Sequence, residues 1–538
     1  MKQPIDLRPD HAKIVHEIIA RHLPAGVSVR VFGSRAKWTA KPHSDLDLAL
    51  KGKEPLPRSV LGDLAEAFSE SDLPFRVDVV DWYTVTPTFQ AVIDRDAQAL
   101  RWPIVTLGEV ASEITVGHVG SMANEYVPEG IPFLRSLNIA PYRILSQDLK
   151  FISPDFHKRL KKSALKPGDV VIVRTGKPGV CSVIPNWLSD ANCSDLVIVR
   201  CGSELRPRYL AYWANSLAAH HIGSNLVGAV QQHFNVGAAR QMPISLPLVE
   251  EQDRILSVLG TMDDKIELNR RMNETLEGMA QAIFRDWFVD FGPVRRKAAG
   301  ETDAVAIMGG LTPDPARAAN LAALFPDAFG DDALPVGWTE TAIGDLVKPL
   351  GGSTPRTGDE ALWSPPRHYW ATPKDLSNMT DPALFQTARQ ISDAGLGKIT
   401  SGLLPPGSVL LSSRAPIGYL AIAQVPVAIN QGFIGLVPTA EVGSSYLYCW
   451  CKANMDKIVA NANGSTFQEI SKKNFRPITS AFPADRRLIA EFGLVADPLF
   501  ARLIAAAIES RTLTETRDYL LPRLMSGTVR VACESEAA

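Results

Sequence analysis

The sequence contains two copies of one pattern at a nearly constant offset. Residues 165–172 (LKPGDVVI) return as residues 404–411 (LPPGSVLL), and each copy leads into a short basic loop and a glycine. A second match joins the segment that starts at Trp102 to the segment that starts at Trp338. Internal similarity at a fixed offset marks a duplicated folding unit. The chain therefore consists of two homologous halves that follow residues 1–100.

Each half ends in a long helical pattern. Apolar residues recur on alternating three- and four-residue steps from Ile255 to Trp287, and again from Leu488 to Leu520. Asn269 and Asn273 interrupt the first of these seams. A lone amphipathic helix of this length cannot bury its apolar stripe. We therefore expect the two helices to pack on each other as an antiparallel coiled coil in a pseudo-twofold molecule.

Composition limits the kind of protein without naming one. Apolar residues make up 46% and charged residues 21% of the chain, and the formal charge is −2, so a folded globular protein is expected. The densest basic cluster, residues 157–162 (HKRLKK), indicates a solvated helix face or a phosphate-contacting patch. The six cysteines show no C-x-x-C spacing, which favours packed, reduced thiols over a metal site. The absence of an apolar run or leader predicts no membrane partner and a cytoplasmic location.

These patterns divide the chain into six predicted segments. They are the N-terminal domain (1–100), the first repeat (102–249), the first long helix (250–291), a linker (292–333) with one short helix, the second repeat (334–483) and the second long helix (484–530). Residues 102–530 contain no P-loop and no dinucleotide-binding fingerprint, so this part is predicted to bind rather than to catalyse.

The two halves carry a family resemblance. Residues 265–276 (KIELNRRMNETL) and 287–291 (WFVDF) resemble the central region of type I restriction-modification specificity subunits. The duplicated halves, their long helices and the glycine-rich residues 227–236 (VGAVQQHFNV) are also similar to that family, and the resemblance covers about residues 102–530. It implies an α/β (α+β) fold with two target-recognition domains. Each domain would read part of a split double-stranded DNA site, while the helices fix the gap between the parts.

The resemblance also implies partners. Two modification (methyltransferase) subunits and a restriction subunit, an ATP-dependent translocase and endonuclease, would dock on the helices, and the specificity part itself would need no cofactor. Since helix length sets the distance between rigid readers, one helical turn added or removed within residues 266–280 should alter the spacer of the DNA site.

Individual DNA contacts follow from side-chain chemistry. Arg and Lys pair with guanine edges, Asn and Gln pair with adenine, and all four also contact phosphates. Arg174 and Arg414 fall in matching loops of the two halves. Each candidate also reads as an ordinary surface or turn residue. The predicted DNA-binding residues are Arg174, Lys177, Gln231, Gln232, His233, Arg414 and Gln468.

The N-terminal domain contains a separate motif in residues 29–50 (VRVFGSRAKWTAKPHSDLDLAL). Apolar alternation predicts a strand, a Gly-Ser turn and a second strand. On the second strand Asp45 and Asp47 would share a face, because side chains alternate with a period of two. Two carboxylates held so close favour a divalent metal between them. An Asp-x-Asp pattern alone is more often a solvated strand face.

This motif resembles the minimal nucleotidyltransferase domain, in which Gly-Ser precedes Asp-x-Asp and a third carboxylate follows on a later strand, here Asp78. The resemblance implies that Mg²⁺ and a nucleoside triphosphate bind here, and that a nucleotide passes to a partner protein's hydroxyl or to an RNA end. Trp38 stands where the family usually has glycine, which puts the phosphate pocket in doubt. The implied catalytic and metal-binding residues are Asp45, Asp47 and Asp78, and the nucleotide-binding residues are Gly33, Ser34, Arg35 and Lys37.

Three functional hypotheses remain open at this point. The first is a DNA-specificity subunit with an appended nucleotidyltransferase-like module. The second is an active nucleotidyltransferase, modifying protein or RNA in the manner of an antitoxin, that the duplicated part targets to nucleic acid. The third makes the module an inactive scaffold that only binds a partner.

Overall fold

The computed structural model describes residues 5–24, 27–41, 43–224, 233–377, 379–414, 416–464, 468–483 and 485–531. The chain divides into two compact units, one formed by residues 1–263 with 514–538 and the other by residues 264–513. Each unit holds one repeat and a segment of both long helices. None of the helices within the described ranges combines the length and the apolar character needed to cross a membrane.

The N-terminal domain is a four-stranded sheet with helices packed against it. In sheet order its strands are Val77–Asp81, Leu46–Lys51, Ser28–Phe32 and Gln98–Ala99. Its helices are Pro9–His22, Gly33–Ala36, Arg58–Ser69 and Pro87–Asp96. Leu46, Leu48 and Leu50 are fully buried in the core, which leaves Asp47 on the other face of its strand. The predicted alternation of this strand is therefore present in the structure.

A buried cluster attaches the N-terminal domain to the rest of its unit. His16 is 2% exposed, its Nε2 lies 2.9 Å from the Arg101 carbonyl oxygen, and its Nδ1 lies 3.2 Å from a guanidinium nitrogen of Arg530. The Arg530 guanidinium also stacks on Trp102, 4.6 Å from the ring centroid. These contacts fit a neutral imidazole that donates through Nε2 and accepts through Nδ1. The N-terminal domain is thus docked against the segment that follows the second long helix.

This cluster predicts a pH dependence of stability. Burial, and then the charge of Arg530, lower the pKa of His16 to about 3, against a usual 6.5. The unfolded chain therefore binds a proton that the folded chain excludes, so stability is full above pH 6.5 and falls below it, by up to about 1.4 kcal/mol per pH unit. Urea unfolding at pH 7 and pH 5 should show this loss in the wild type. The His16→Gln variant, which removes the titrating imidazole and can keep the hydrogen bond to the Arg101 carbonyl, should lose less; an equal loss in both proteins would contradict the assignment.

The first repeat is built mainly of two small sheets. The five-stranded sheet has the order Ala164–Leu165, Ala191–Cys193, Ile131–Leu134, Lys150–Ile152, Tyr126–Val127. The four-stranded sheet has the order Cys181–Val183, Val170–Val173, Leu196–Cys201, Ala111–Val116. Two short pairs complete it, Ile139–Ala140 with Arg143–Ile144 and Ile104–Thr106 with Pro243–Ser245. Its helices are Leu107–Val110, Pro154–Arg159, Pro207–Asn215, Ala219–Ser224 and Val236–Arg240.

The second repeat reproduces the central pairings. Its five-stranded sheet has the order Pro349–Gly351, Phe433–Leu436, Val409–Ser413, Ile417–Ala423, Ala383–Leu384. The remaining strands are Arg389–Ile391, His368–Ala371 and Val427–Ile429 in one sheet, and Thr339–Ala342 with Thr479–Phe482 in another. Its helices are Ile343–Leu346, Pro373–Leu376, Asp393–Leu396, Ser444–Ala453, Met455–Ala460 and Lys472–Phe475.

The linker is more ordered than predicted. Besides the expected short helix, Pro315–Ala322, it forms the helices Gly292–Ala298 and Ala304–Ile307. Its apolar side chains, Phe325 among them, belong to the largest hydrophobic core of the chain. The expectation of a single helix was wrong because small and apolar residues of this segment are buried against aromatic side chains distant in sequence.

Both long helices are continuous. The first runs over Val249–Phe288 and the second over Arg487–Met525, with 40 and 39 residues. In the second unit Phe284 contacts Phe492, while Asn269 donates to the Ala506 carbonyl 3.3 Å away, so the two segments run antiparallel there. The buried Asn269 amide also donates to the Glu509 carboxylate at 2.8 Å. A buried asparagine in a helical seam favours one register over its alternatives.

Candidate functional site

The first candidate site begins where strand Ser28–Phe32 ends. Gly33 follows it directly with a φ of +74°, a left-handed conformation that favours glycine. A Cβ atom at this position would overlap Oδ2 of Asp47. Conformation and space therefore both require glycine here. The loop backbone therefore lies against the Asp47 carboxylate.

Three carboxylates influence one another beside this loop. Asp47 and Asp78 are direct neighbours on parallel strands, and the exposed Asp45 lies just before the strand of Asp47. Burial, and then the charges of Asp78 and Asp45, raise the pKa of the Asp47 carboxyl above its usual range. A cation near these groups would relieve that repulsion.

The carboxylates are not gathered into a closed metal cage. Within the described ranges, no group of three or more histidine, cysteine, aspartate or glutamate side chains could hold a metal ion. Asp78 instead accepts from Nε of Arg76 at 2.8 Å. The three-aspartate metal site therefore stays a prediction. Its support is that Asp47 pairs with Asp78 across the sheet and lies two residues after Asp45.

The basic residues of the loop have separate environments. Arg35 is buried and donates to the carbonyl oxygens of Ser44 and Asp6, at 2.7 and 2.9 Å. Its guanidinium also stacks on Phe75. Arg35 thus holds the loop in this structure, and its predicted contact with phosphate stays a prediction. Sequence patterns could not reveal this role, because the carbonyl partners depend on the fold of the loop.

Lys37, Ser34 and Trp38 lie nearer to solvent. Lys37 is exposed and pairs with Asp96 at 2.8 Å, and Ser34 is half-buried. Trp38, at the position usually held by glycine, is 42% exposed and has a φ of +58°. A side chain in this left-handed region costs about 1 kcal/mol. Trp38 therefore adopts a backbone conformation that favours glycine while carrying a large aromatic side chain.

The second candidate site is an edge of the first repeat. Here the loop after strand Val170–Val173 meets Asp195 and residues 233–234. The Arg174 amide donates to the Asp195 carbonyl, and the Phe234 amide donates to the Arg174 carbonyl at 3.1 Å. The hydroxyl of Thr175 lies 3.2 Å from Nδ1 of His233. Two predicted DNA contacts, Arg174 and His233, are thus brought together. Gln231 and Gln232 lie outside the described residues, and Lys177 is exposed on the same loop.

The second repeat forms an equivalent edge. The Ser413 amide donates to the Gly432 carbonyl at 2.8 Å, and the Ile470 amide donates to the Ser413 carbonyl at 2.9 Å. Arg414 lies 3.7 Å from the Glu469 carboxylate. The predicted contact Gln468 is exposed beside Glu469. The structure therefore also joins Arg414 and Gln468 at one edge.

The backbone pattern gives the correspondence between the two loops residue by residue, at the same offset that joins residues 165–172 to residues 404–411. Arg174 and Ser413 make the same two backbone hydrogen bonds, so Arg414 is equivalent to Thr175. The loops match as predicted, but the two arginines do not occupy the same position. Sequence reasoning missed Thr175 and Glu469 as site residues, since their partners are distant in sequence.

Family models match both parts of the chain. The type I restriction modification DNA specificity domain matches residues 100–278 and again residues 335–487. The polymerase beta nucleotidyltransferase model matches residues 15–100.

Individual relatives agree with these matches. The type I restriction enzyme HindI specificity subunit of Haemophilus influenzae is 29% identical over 323 residues, which are 54% of this chain and 69% of that protein. The probable protein adenylyltransferase MntA of the same species is 45% identical over 89 residues, 16% of this chain and 77% of that protein. The crystal structure of the type I restriction-modification S subunit from M. genitalium matches with a TM-score of 0.46 and 14% identity, covering 79% of this chain and 96% of that one.

Proposed function

Because the chain belongs to the type I restriction-modification DNA specificity family and carries a polymerase beta-type nucleotidyltransferase domain, we propose that each repeat reads one part of a bipartite double-stranded DNA site. The observation that carries this proposal is the duplicated edge. Both repeats bring loops after equivalent strands together by the same backbone hydrogen bonds, and both place polar side chains there. Arg414 supplies a donor suited to guanine edges, while Gln468 suits adenine.

The long helices are proposed to set the spacer and to receive the partner subunits. Their continuity gives the rigid element that a fixed separation requires. In the second unit they also carry exposed apolar side chains that a docked protein could cover. These side chains are Leu268, Met279, Leu494 and Ile508. The expected partners are two modification subunits and the restriction subunit.

Lengthening both helices should lengthen the spacer. We would insert seven residues after Thr275 and seven after Arg502, positions that lie between the Asn269–Glu509 and Phe284–Phe492 contacts. Seven residues preserve the helical seam and add about 10 Å, which corresponds to roughly three base pairs. Selection from a randomised double-stranded DNA library, with co-expressed modification subunits, should return both half-sites with a longer spacer.

An insertion in the first helix alone serves as the control. The sequence predicts a changed spacer from one added turn in residues 266–280, but the first helix is paired with the second, so an insertion in one helix alone breaks the register and should lower stability. A new defined spacer is therefore expected only from the paired insertion. A folded double insertion that selects the original spacer would contradict the proposed role of the helices. Wild-type protein that selects no bipartite sequence would contradict the DNA-reading function itself.

We further propose that the N-terminal domain transfers a nucleotide to an acceptor hydroxyl. Carboxylate oxygens are ligands that suit Mg²⁺, which Asp45 and Asp47 would hold. The bound metal would neutralise the phosphates of a nucleoside triphosphate. The backbone amides that follow Gly33, together with Ser34, would contact those phosphates, and Asp78 is the candidate base for the acceptor hydroxyl.

Attack on the α-phosphate would release pyrophosphate. The acceptor is either a hydroxyl of a partner protein or an RNA end. The competing candidate function, an enzyme that the repeats merely target to nucleic acid, draws its support from the glycine and paired carboxylates that this domain retains.

A further inference from the structure

The two edges carry different side-chain pairs at one equivalent position. In the first repeat Thr175 meets His233, and in the second repeat Arg414 meets Glu469. We infer that this pair is a specificity-determining position, which makes the two repeats read different bases in their half-sites. The inference rests on the proposed DNA-reading function and adds the residues through which the two readers differ.

The equivalence follows from the backbone on both sides of each pair. The residue before Thr175 accepts from the amide of the residue after His233, and the residue before Arg414 accepts from the amide of the residue after Glu469. The buried side chains of Phe234 and Ile470 then anchor the chain directly after His233 and Glu469. Each pair is therefore held by a buried neighbour and by main-chain bonds that do not depend on the pair itself.

A capped helical turn follows each pair. Asn235 caps Val236–Arg240 by accepting from the Ala238 amide, and Ser471 caps Lys472–Phe475 by accepting from the Asn474 amide. The cap fixes the residue at which this helical turn begins. His233 in one repeat and Glu469 in the other are therefore each followed by a buried apolar residue and then by a helix N-cap residue.

Little in the fold requires these side chains. The Arg414 and Glu469 side chains are 37% and 48% exposed, and their charged atoms are separated by 3.7 Å. Such a partly exposed ion pair contributes little to stability. The charges can therefore exchange this contact for a base edge without a large loss to the fold.

The chemistry of the two pairs is distinct. Arginine donates two hydrogen bonds to guanine, and glutamate accepts from the cytosine amino group. Threonine instead offers a hydroxyl and a methyl group, and histidine offers one donor and one acceptor. The same backbone arrangement thus presents different hydrogen-bonding groups in the two repeats, which suits two half-sites of different sequence.

A second difference lies beside the pair in the second repeat. The segment between the Ile429 and Gly432 carbonyls, which bond to the Ser353 and Ser413 amides, is one residue longer than its counterpart between Cys193 and Asp195. Gln431 lies in this longer turn, is exposed, and accepts from the Thr354 hydroxyl. An exposed glutamine at the same edge adds a group suited to adenine.

Exchanging the pairs tests the inference. Arg414→Thr with Glu469→His places the first pair in the second repeat, and Thr175→Arg with His233→Glu does the reverse. Each full-length variant, with co-expressed modification subunits, would select from a randomised double-stranded DNA library. We expect base preference to change about 10- to 100-fold at positions of one half-site only, with the other half-site and the spacer unchanged.

Two comparisons keep the result interpretable. The exposed ion pair of Arg486 with Glu441 lies outside the edge segments, so Arg486→Thr with Glu441→His should leave both half-sites unchanged. Glu469→Gln keeps the shape of the side chain and should alter the same half-site if the exchanged variant fails to fold.

Variants that fold, bind and select both original half-sites would overturn the inference while leaving the DNA-reading function intact. Wild-type protein that selects no defined sequence would overturn the proposed function instead. A change at both half-sites in one exchanged variant would overturn the assignment of one pair to one reader.

Discussion

Replacing Asp45 and Asp47 by asparagine is expected to abolish nucleotide transfer by the N-terminal domain while leaving its fold intact. Asparagine keeps the shape of each side chain but removes the charge that would hold a divalent metal. Metal-assisted charge stabilisation contributes several kcal/mol, so the loss should be at least about 100-fold. Burial, and then the charges of Asp78 and Asp45, disfavour the charged form of Asp47, and asparagine removes this cost, so the melting temperature of the variant should stay the same or rise.

The experiment supplies each of the four nucleoside triphosphates with a label at the α-phosphate. It measures how much label is transferred to an acceptor. Mg²⁺, the modification subunit and proteins encoded next to this one would be present as acceptors. The matched control is Asp63→Asn, which removes one carboxylate from the exposed face of helix Arg58–Ser69 and should leave transfer unchanged.

The outcomes separate the competing functions. Label that reaches an acceptor with the wild type and vanishes with the double variant would establish an enzyme joined to a DNA reader. Equal labelling with both proteins would contradict the assignment of Asp45 and Asp47. Neither labelling nor triphosphate binding by the wild type would reduce the N-terminal domain to a scaffold.

Replacing Phe492 by alanine is expected to lower the free energy of unfolding of the second unit by about 3–5 kcal/mol. The ring is fully buried and lies edge-on to four aromatic rings. These belong to Phe284, Trp287, Phe288 and Tyr446, at centroid separations of 5.6, 6.1, 5.6 and 6.2 Å. Alanine removes the buried apolar surface and the aromatic contacts, and leaves a cavity between the long helices and the second repeat.

Urea unfolding followed by tryptophan fluorescence would measure the loss, because Trp287 reports on this core. Leu494→Ala is the matched control, since Leu494 lies two residues later on the same helix and is 62% exposed. Its effect should stay within about 0.5 kcal/mol. A loss below about 1 kcal/mol for Phe492→Ala would show that the aromatic cluster does not hold this unit together.

Much of the molecule follows from local patterns in the sequence. The duplicated halves and the long helices were predicted from repetition and apolar spacing, and the family matches confirm two copies of the specificity domain. The glycine and the two aspartates of the N-terminal domain were also found this way. These residues were recognised from a Gly-Ser turn and from the alternation of side chains along a strand. Both patterns depend on residues near each other in the sequence.

Other features depend on contacts between distant parts of the chain. Arg35 was predicted to contact phosphate, and only the fold shows that its buried guanidinium donates to carbonyl oxygens. The linker looked irregular, yet the aromatic core of its unit gives it helices and buried side chains. In both cases a long-range partner decides whether a charged or apolar side chain is exposed.

Sequence patterns alone indicated that one chain combines two similar specificity repeats with a carboxylate motif typical of metal sites. Only the tertiary structure showed that Thr175 meets His233 while Arg414 meets Glu469, and that His16 meets Arg530 more than 500 residues later. Periodicity and spacing report on neighbours along the chain. Which side chains meet across a sheet edge or a domain contact is decided by packing, to which every part of the chain contributes.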